Sequence, residues 1–283
     1  MYQVSTIRSF LFVPGDKPDR FEKAANSGCD AMIIDLEDAV SDENKESARD
    51  SALNYFSTTL NKNVLKMLRI NSLKTKHGLK DLLALCEAQF KPDGIVIPMV
   101  DSAEEIILID SVLQEENSSL IYFVVIETLL GLENVELIAS ASDNIQMIGF
   151  GSADFTSQSG SDLSWDSLLL PRSRIVNAAA LAGVAAIDGV WMDINDEEGL
   201  INETKKIASL GFQGKIAIHP KQINGIHTAF QPSLQDLEFA KEVVAAYEES
   251  KGGAIKVKGK MIDEPLVISA KQTIARAIKT EGT

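Results

Sequence analysis

The sequence predicts an α/β fold, a (β/α)8 TIM barrel followed by a C-terminal helical arm. Short apolar runs alternate with longer amphipathic stretches, and several of the runs are apolar throughout, as in strands that helices bury on both faces. The runs number about eight, the count of this barrel. The chain has 283 residues, more than the roughly 250 of a typical barrel, so a tail remains beyond about position 230. A doubly wound sheet is disfavoured because no G-x-G-x-x-G follows the first apolar run.

Taken in order, the apolar runs predict parallel strands joined by right-handed crossovers. The strands are expected at residues 9–13, 31–35, 64–70, 94–98, 121–126, 145–150, 189–192 and 215–218. The helices between them are expected at residues 17–27, 43–58, 79–90, 103–116, 131–140, 175–181 and 200–210. Further helices are expected at residues 234–250 and 262–279, with a Gly-rich linker at 251–260. We therefore divide the chain into a barrel, residues 1–230, and a helical extension, residues 231–283.

Composition narrows the function classes. The formal net charge of −14 argues against nucleic acid as the main partner, because phosphate backbones require clustered Lys and Arg. No apolar run approaches the roughly 20 residues of a membrane span, and residues 1–9 lack a signal-peptide layout, so we expect no membrane partner and a cytoplasmic protein. Cys29 and Cys86 are far apart and no H-E-x-x-H occurs, which excludes a disulfide framework and argues against a Cys- or His-based zinc site.

Polar residues follow most of the predicted strands, at the end of the barrel that carries chemistry. They are Asp35, Glu37 and Asp38 after the second strand, Arg69 at the end of the third, Glu127 after the fifth, Asp154 after the sixth, Asp193 after the seventh and His219 after the eighth. Any one of them could be an ordinary polar loop residue, but together they indicate one shared rim. Converging carboxylates repel each other unless they share a proton or a cation. Oxygen ligands without thiolates favour Mg²⁺, and Mn²⁺ is also compatible.

Spacing suggests a role for each group at this rim. Glu127 and Asp154 lie just past adjacent strands and can reach one ion, while Glu37 and Asp38 could hold its water ligands or contact substrate. Arg69 offers a rigid fork for a substrate carboxylate or a developing oxyanion. The alternative for Arg69 is a salt bridge with Asp35 or Glu37.

An ordered set of motifs runs along almost the whole chain. These motifs are RSFLFVPG at residues 8–15, DLEDAV at 35–40, RIN at 69–71, ETLLG at 127–131, GSAD at 151–154, AID at 186–188, IHPKQI at 218–223 and MIDEP at 261–265. Each motif is weak alone, but the ordered set resembles the citrate lyase β-subunit family. That family includes malyl-CoA and citramalyl-CoA lyases and falls within the HpcH/HpaI aldolase superfamily.

The resemblance implies a homotrimer of (β/α)8 barrels in which each C-terminal segment reaches a neighbouring subunit's active site. It implies Mg²⁺ on Glu127 and Asp154, a substrate carboxylate on Arg69, and Asp263 of the Met-Ile-Asp motif as acid/base. It also implies coenzyme A contacts from Arg20, Lys23, His219 and Pro220, although His219 could equally be buried or cap a helix. Two departures leave the substrate open: Met99 stands where many relatives have lysine, and Pro171-Arg172 replaces an Ala-Arg pair.

The sequence therefore predicts a Mg²⁺-dependent carbon–carbon lyase. Its substrate would be a 3-hydroxy-3-carboxyacyl-CoA thioester of the citramalyl-CoA or malyl-CoA type, which retro-Claisen cleavage converts to acetyl-CoA and an α-keto acid. Arg69 would bind the carboxylate and Asp263 would protonate the acetyl carbon. Asp263 could instead serve only as a helix cap, because Asp263-Glu264-Pro265 is a helix-opening sequence.

Three alternatives remain open. The chain could be the β-subunit of a citrate lyase complex, acting on citryl groups carried by an acyl-carrier protein. It could be a pyruvate-class aldolase of the HpcH/HpaI type, although Asp38 replaces the histidine of those enzymes and they lack the Met-Ile-Asp segment. It could also be a thioester-binding subunit without catalysis, which the joint presence of Glu127, Asp154, Arg69 and Asp263 disfavours.

Overall fold

The computed structural model describes residues 7–58, 64–113, 120–250 and 255–278. The chain divides into two compact units, Met1–Ile226 and His227–Thr283, and each has a hydrophobic core of its own. Within the described residues, no helix is both long enough and apolar enough to cross a membrane.

The first unit is a closed barrel of eight parallel strands in sequential order. The strands are β1 (Ser9–Pro14), β2 (Ala31–Asp35), β3 (Leu65–Arg69), β4 (Gly94–Ile97), β5 (Ile121–Ile126), β6 (Ile145–Phe150), β7 (Ala185–Asp188) and β8 (Gly214–Ala217). Pairing of β1 with both β2 and β8 closes the barrel. The predicted (β/α)8 fold is therefore confirmed.

Helices connect the strands, and one more follows the last strand. In chain order they are α1 (Phe21–Ala25), α2 (Lys45–Thr58), α3 (Lys76–Glu87), α4 (Ala103–Leu113), α5 (Leu129–Glu133), α6 (Val135–Ala139), α7 (Ser152–Ser159), α8 (Trp165–Ala182), α9 (Glu197–Leu210) and α10 (Lys221–Phe230), with short 3-10 turns at Pro18–Arg20 and Asp42–Asn44. The side chains of Thr75, Thr128 and Ser164 accept backbone N–H groups at the starts of α3, α5 and α8. These caps fix where the three helices begin.

The barrel interior is filled by apolar side chains from every strand. One buried cluster includes Phe10, Ile33, Met67, Val96, Phe123, Met147, Ile187 and Ile216. The rings of Phe10 and Phe123 lie 5.3 Å apart between centroids, in a tilted arrangement. Because side chains alternate along each strand, this packed interior also fixes which strand-end residues point to the rim.

Strand β7 corrects the sequence prediction. It covers Ala185–Asp188 rather than residues 189–192, so its last residue is Asp188 and Asp193 lies in the following loop. The small residues of β7 continue the alanine-rich composition of α8, and Gly183 at φ +74 separates the two elements. Helix α8 is also longer than predicted because it continues through Pro171, which sequence rules treat as a breaker.

The second unit contains α11 (Leu234–Glu249), α12 (Glu264–Ile278) and an antiparallel hairpin of β9 (Ile255–Val257) and β10 (Lys260–Ile262). The predicted linker at residues 251–260 is wrong where the structure describes it, and residues 251–254 lie outside the described part. The hairpin turn is Lys258-Gly259, with both residues at positive φ as a two-residue turn requires. Docking of this unit on a neighbouring subunit stays a prediction.

Candidate active site

Acidic side chains from several loops surround one arginine at the carboxyl ends of the barrel strands. The group consists of Asp35, Glu37, Asp38, Arg69, Glu127 and Asp154, from the ends of β2, β3, β5 and β6 and the residues that follow them. Ion pairs join Arg69 to Asp35, the last residue of β2, and to Glu37 and Asp38 just after it. Glu127 interacts electrostatically with Arg69, Asp154 and Asp38. The structure therefore brings six of the eight strand-end residues that the sequence singled out into one cluster, without Asp193 and His219.

The orientation of Arg69 is fixed from two sides. Arg69 and Asp35 are register partners on β3 and β2, and the guanidinium Nε and Nη2 donate to the two Asp35 carboxylate oxygens, each at 2.7 Å. The Phe12 ring lies 4.4 Å from the guanidinium carbon. Nη1 lies 2.9 Å from Glu37 Oε2 and 3.4 Å from Asp38 Oδ2. The predicted salt-bridge alternative is thus present. The pairing with Asp35 leaves Nη1 of the guanidinium directed toward the other carboxylates.

Glu127 is buried and held by backbone groups. Its Oε1 accepts the N–H of Met99 at 2.6 Å, and its Cβ and Oε2 lie so close to Gly151 that a side chain at 151 would collide with them. Burial raises the pKa of Glu127 to about 7, and the negative charge of Asp154 adds to the rise. The Met99 N–H and Arg69 oppose it.

Glu37, like Glu127, is a buried carboxyl group with other carboxylates nearby. Burial raises its pKa to about 8 despite the attraction of Arg69, and repulsion from Glu127 contributes. Its Oε2 is buried, and although it lies 2.9 Å from Arg69 Nη1 it makes no hydrogen bond of acceptable geometry. Burial and the nearby Asp38 also raise the pKa of Asp154, an exposed residue in the first turn of α7.

This donor set fits a divalent cation. Carboxylates outnumber the single guanidinium, and Glu37 has a buried oxygen without a hydrogen-bond partner. Among the described residues, no group of three or more acidic, His or Cys side chains is arranged to hold a metal by itself. Mg²⁺ typically takes one or two protein carboxylates and leaves its other positions to water and substrate, so Glu127 and Asp154 would suffice.

Other predicted site residues have local roles. His219 Nδ1 accepts the N–H of Lys221 at the start of α10, as its capping alternative requires. Arg20, Lys23 and Pro220 are exposed. Asp193 accepts the N–H of Asn195 in a turn.

Asp263 belongs to the second unit. Its side chain is exposed, and its carbonyl oxygen accepts the N–H of Val267 at the start of α12. It therefore stands at the helix start, as the cap interpretation requires, and its acid/base role stays a prediction.

Sequence reasoning missed two features of the rim. A cavity of about 530 Å³ lies beside Glu37 and Asp38 and is lined further by residues such as Ser72, Thr75 and His77. The second feature is the contact of Lys74, in the connection between β3 and α3, with the turn after β4. That turn contains Met99, which stands where many relatives have lysine. No local sequence signal identifies either feature, because both arise from loops that meet only in the closed barrel.

Comparisons with known proteins agree with this geometry. The family model described as HpcH/HpaI aldolase/citrate lyase matches residues 8–220, and one described as a C–C bond lyase of the TIM-barrel fold matches residues 169–279. A citrate lyase subunit beta from Leuconostoc mesenteroides subsp. cremoris is 34% identical over 282 residues, covering 95% of this chain and 93% of the relative. A (3S)-malyl-CoA thioesterase from Cereibacter sphaeroides is 32% identical over 281 residues, covering 98% of this chain and 96% of the relative.

A solved structure matches over nearly the same length. It is the protein CitE from Mycobacterium tuberculosis in complex with magnesium, acetoacetate and coenzyme A. It is 31% identical, with a TM-score of 0.82, and the match covers 96% of this chain and 99% of that one.

Proposed function

The chain belongs to the HpcH/HpaI aldolase/citrate lyase family, and we propose that it is a Mg²⁺-dependent lyase of 3-hydroxy-3-carboxyacyl-CoA thioesters. The family resemblance drawn from the ordered motifs is thereby confirmed. In the proposed reaction the bond between the carbinol carbon and the neighbouring methylene carbon breaks. The hydroxyl group loses its proton and becomes the carbonyl of an α-keto acid, and the methylene carbon gains a proton to become acetyl-CoA.

The observation that carries the proposal is the joint placement of Arg69, Glu127 and Asp154 at one rim. Glu127 and Asp154 would hold Mg²⁺, and the chemistry that this ion supplies when bound is Lewis-acid stabilisation of negative charge on oxygen. The Nη1 edge of Arg69 would bind the substrate carboxylate and offset charge on the adjacent oxygen. Asp35 keeps the Arg69 guanidinium in place, because its carboxylate oxygens accept from Nε and Nη2 at 2.7 Å each.

Glu37 and Asp38 border both the arginine and the cavity beside it. In the proposal they contact the substrate hydroxyl group or the waters that accompany Mg²⁺. The cavity of about 530 Å³ lies within the usual size range of small-molecule sites. Its lining includes Glu37 and Asp38 but not Arg69, Glu127 or Asp154, so in the proposal it takes part of the thioester chain beside the reacting group.

The remaining roles come from the family resemblance. Asp263, supplied by a neighbouring subunit of a homotrimer, would protonate the acetyl carbon. Its exposed side chain leaves the carboxyl group free for this purpose. Arg20, Lys23 and the His219-Pro220 segment would contact the coenzyme A portion, and the two exposed cations suit its phosphates.

The relatives support a thioester substrate but differ in what their names state. One is a citrate lyase subunit, one is a (3S)-malyl-CoA thioesterase, and the Mycobacterium tuberculosis structure contains magnesium and coenzyme A. We infer citramalyl-CoA, cleaved to acetyl-CoA and pyruvate, as the preferred substrate. Malyl-CoA differs from it by one methyl group, which is worth only about 1–3 kcal/mol of discrimination. Citryl groups on an acyl-carrier protein are the second candidate.

The test is a comparison of kcat/KM for citramalyl-CoA, malyl-CoA and citryl thioesters with and without Mg²⁺, with both products identified. The proposal expects acetyl-CoA and an α-keto acid, formed only with Mg²⁺. Free coenzyme A without the keto acid would instead indicate thioester hydrolysis. Activity on carrier-bound citrate alone would favour the citrate lyase complex.

A further inference from the structure

We propose that Lys74 is a positioning residue for Glu127, and that it acts through the peptide groups of the turn after β4. The inference rests on the proposed function, since it concerns the metal-binding role given to Glu127. Lys74 itself lies in the connection between β3 and α3 and touches no proposed substrate or metal ligand directly.

The Lys74 ammonium group joins two loops of the rim. Its Nζ donates to the carbonyl oxygen of Met99 at 2.5 Å and to Asp101 Oδ2 at 2.6 Å, and it lies 3.6 Å from Glu105 Oε1. All three acceptors belong to the turn after β4 or the first turn of α4. One cation therefore holds this turn from outside.

The turn after β4 needs such a restraint because one of its residues has an unfavourable backbone conformation. Met99 has φ +55, in the left-handed region that residues with a side chain rarely adopt. In that conformation its N–H donates to Glu127 Oε1 at 2.6 Å while its carbonyl oxygen accepts from Lys74. The same residue thus links the ammonium group to the carboxylate.

A second chain of contacts leads to the same place. Asp101 Oδ1 accepts a short hydrogen bond from Thr128, the residue directly after Glu127. The carbonyl oxygen of Asp101 also accepts from Asn134 Nδ2 at 2.8 Å. Lys74 is therefore connected to Glu127 through Met99 on one side and through Asp101 and Thr128 on the other.

Glu127 requires this support because Arg69 attracts its carboxylate while two acidic neighbours repel it. Asp154 and Asp38 are both close enough for their charges to act on its carboxyl group. A fixed hydrogen bond to Oε1 keeps the carboxylate in one orientation between these opposing charges. The Met99 N–H supplies that hold, and Lys74 stabilises the backbone conformation that aims it.

The test uses the full-length chain and Mn²⁺ as the probe, with binding followed by electron paramagnetic resonance. Lys74→Met should weaken Mn²⁺ binding about tenfold, the lower end of what loss of a partner behind a ligand costs. It should also raise the Mg²⁺ concentration for half-maximal turnover while leaving kcat at saturating Mg²⁺ near that of the wild type. Lys74→Arg should restore most of the affinity. Lys80→Met is the matched control, because Lys80 is an exposed lysine of α3 whose ion pair with Glu46 spans 3.8 Å.

The sign of the effect separates positioning from plain electrostatics. Removal of a positive charge near a cation site should strengthen cation binding if charge alone matters. Unchanged or tighter Mn²⁺ binding by Lys74→Met, in a wild type that binds Mn²⁺ through Glu127, would overturn this inference and leave the proposed function intact. No Mn²⁺ binding by the wild type would instead overturn the proposed function, and this inference with it.

Discussion

Replacement of Gly151 by alanine tests whether the position of Glu127 matters. Gly151 has φ −86 and ψ +79, so an alanine meets no left-handed backbone strain there. Its added Cβ would, however, collide with the Cβ and Oε2 of Glu127. The Glu127 Cβ is fixed by the backbone directly after β5 and cannot rotate away, so either the loop after β6 or the carboxylate has to move.

Two consequences can be estimated for Gly151→Ala. Overpacking of this kind costs about 1–3 kcal/mol of folding stability. A displacement of a catalytic group by about 1 Å can cost about 100-fold in rate. We therefore expect a modest loss of stability with a far larger loss of Mg²⁺-dependent turnover, because the collision falls on the proposed metal ligand.

The assay pairs urea unfolding with turnover of citramalyl-CoA over a range of Mg²⁺ concentrations. Gly225→Ala is the control, because a Cβ at Gly225 in α10 meets its nearest atoms at 3.4 Å, an ordinary contact. That change should raise stability by about 0.5–1 kcal/mol and leave turnover unaltered. Wild-type turnover and Mg²⁺ dependence in Gly151→Ala would refute the claim that the place of Glu127 controls activity.

Three further changes have defined outcomes. Asp35→Asn should raise KM more than it lowers kcat, because Arg69 loses a bidentate carboxylate partner at 2.7 Å, and an unchanged KM would count against the carboxylate-binding role. Lys215→Met should lower the free energy of unfolding by about 3–5 kcal/mol, because it removes a buried ammonium group that pairs with Asp188 at 2.6 Å and Glu203 at 2.9 Å and leaves Arg172 alone to balance both carboxylates; urea unfolding with a loss below about 1 kcal/mol would contradict this. Asp263→Asn should keep the start of α12 while abolishing turnover, since asparagine also caps helices but cannot transfer the proton; near-normal turnover would leave Asp263 as a cap only.

Local patterns were sufficient for the barrel and for the first selection of site residues. Apolar runs located seven of the strands to within a few residues, and the residues after them included Arg69, Glu127 and Asp154. Strand β7 was misplaced because its Ala-Ala-Ile-Asp sequence reads as the end of an alanine-rich helix. The hairpin of the second unit was missed because Lys258 takes a positive φ, which composition does not signal.

Contacts between loops could not be predicted from one sequence. The sequence offered a salt bridge of Arg69 with Asp35 or Glu37, but its two-point geometry with Asp35 depends on the register of β2 against β3. The approach of Lys74 to Met99 depends on two separate connections that meet at the rim. The sequence therefore indicated the proposed metal ligands, but not residues such as Lys74 and Met99 that fix the orientation of Glu127. Those residues are specified by the closed barrel, in which distant parts of the chain become neighbours.

The most direct test of the proposed centre is a crystal structure of the protein with Mn²⁺ in place of Mg²⁺, using anomalous scattering to locate the ion. The proposal expects one strong peak about 2 Å from carboxylate oxygens of both Glu127 and Asp154. The peak should disappear in Glu127→Gln. An ion bound elsewhere, or an ion at the rim that touches neither carboxylate, would contradict the proposed site.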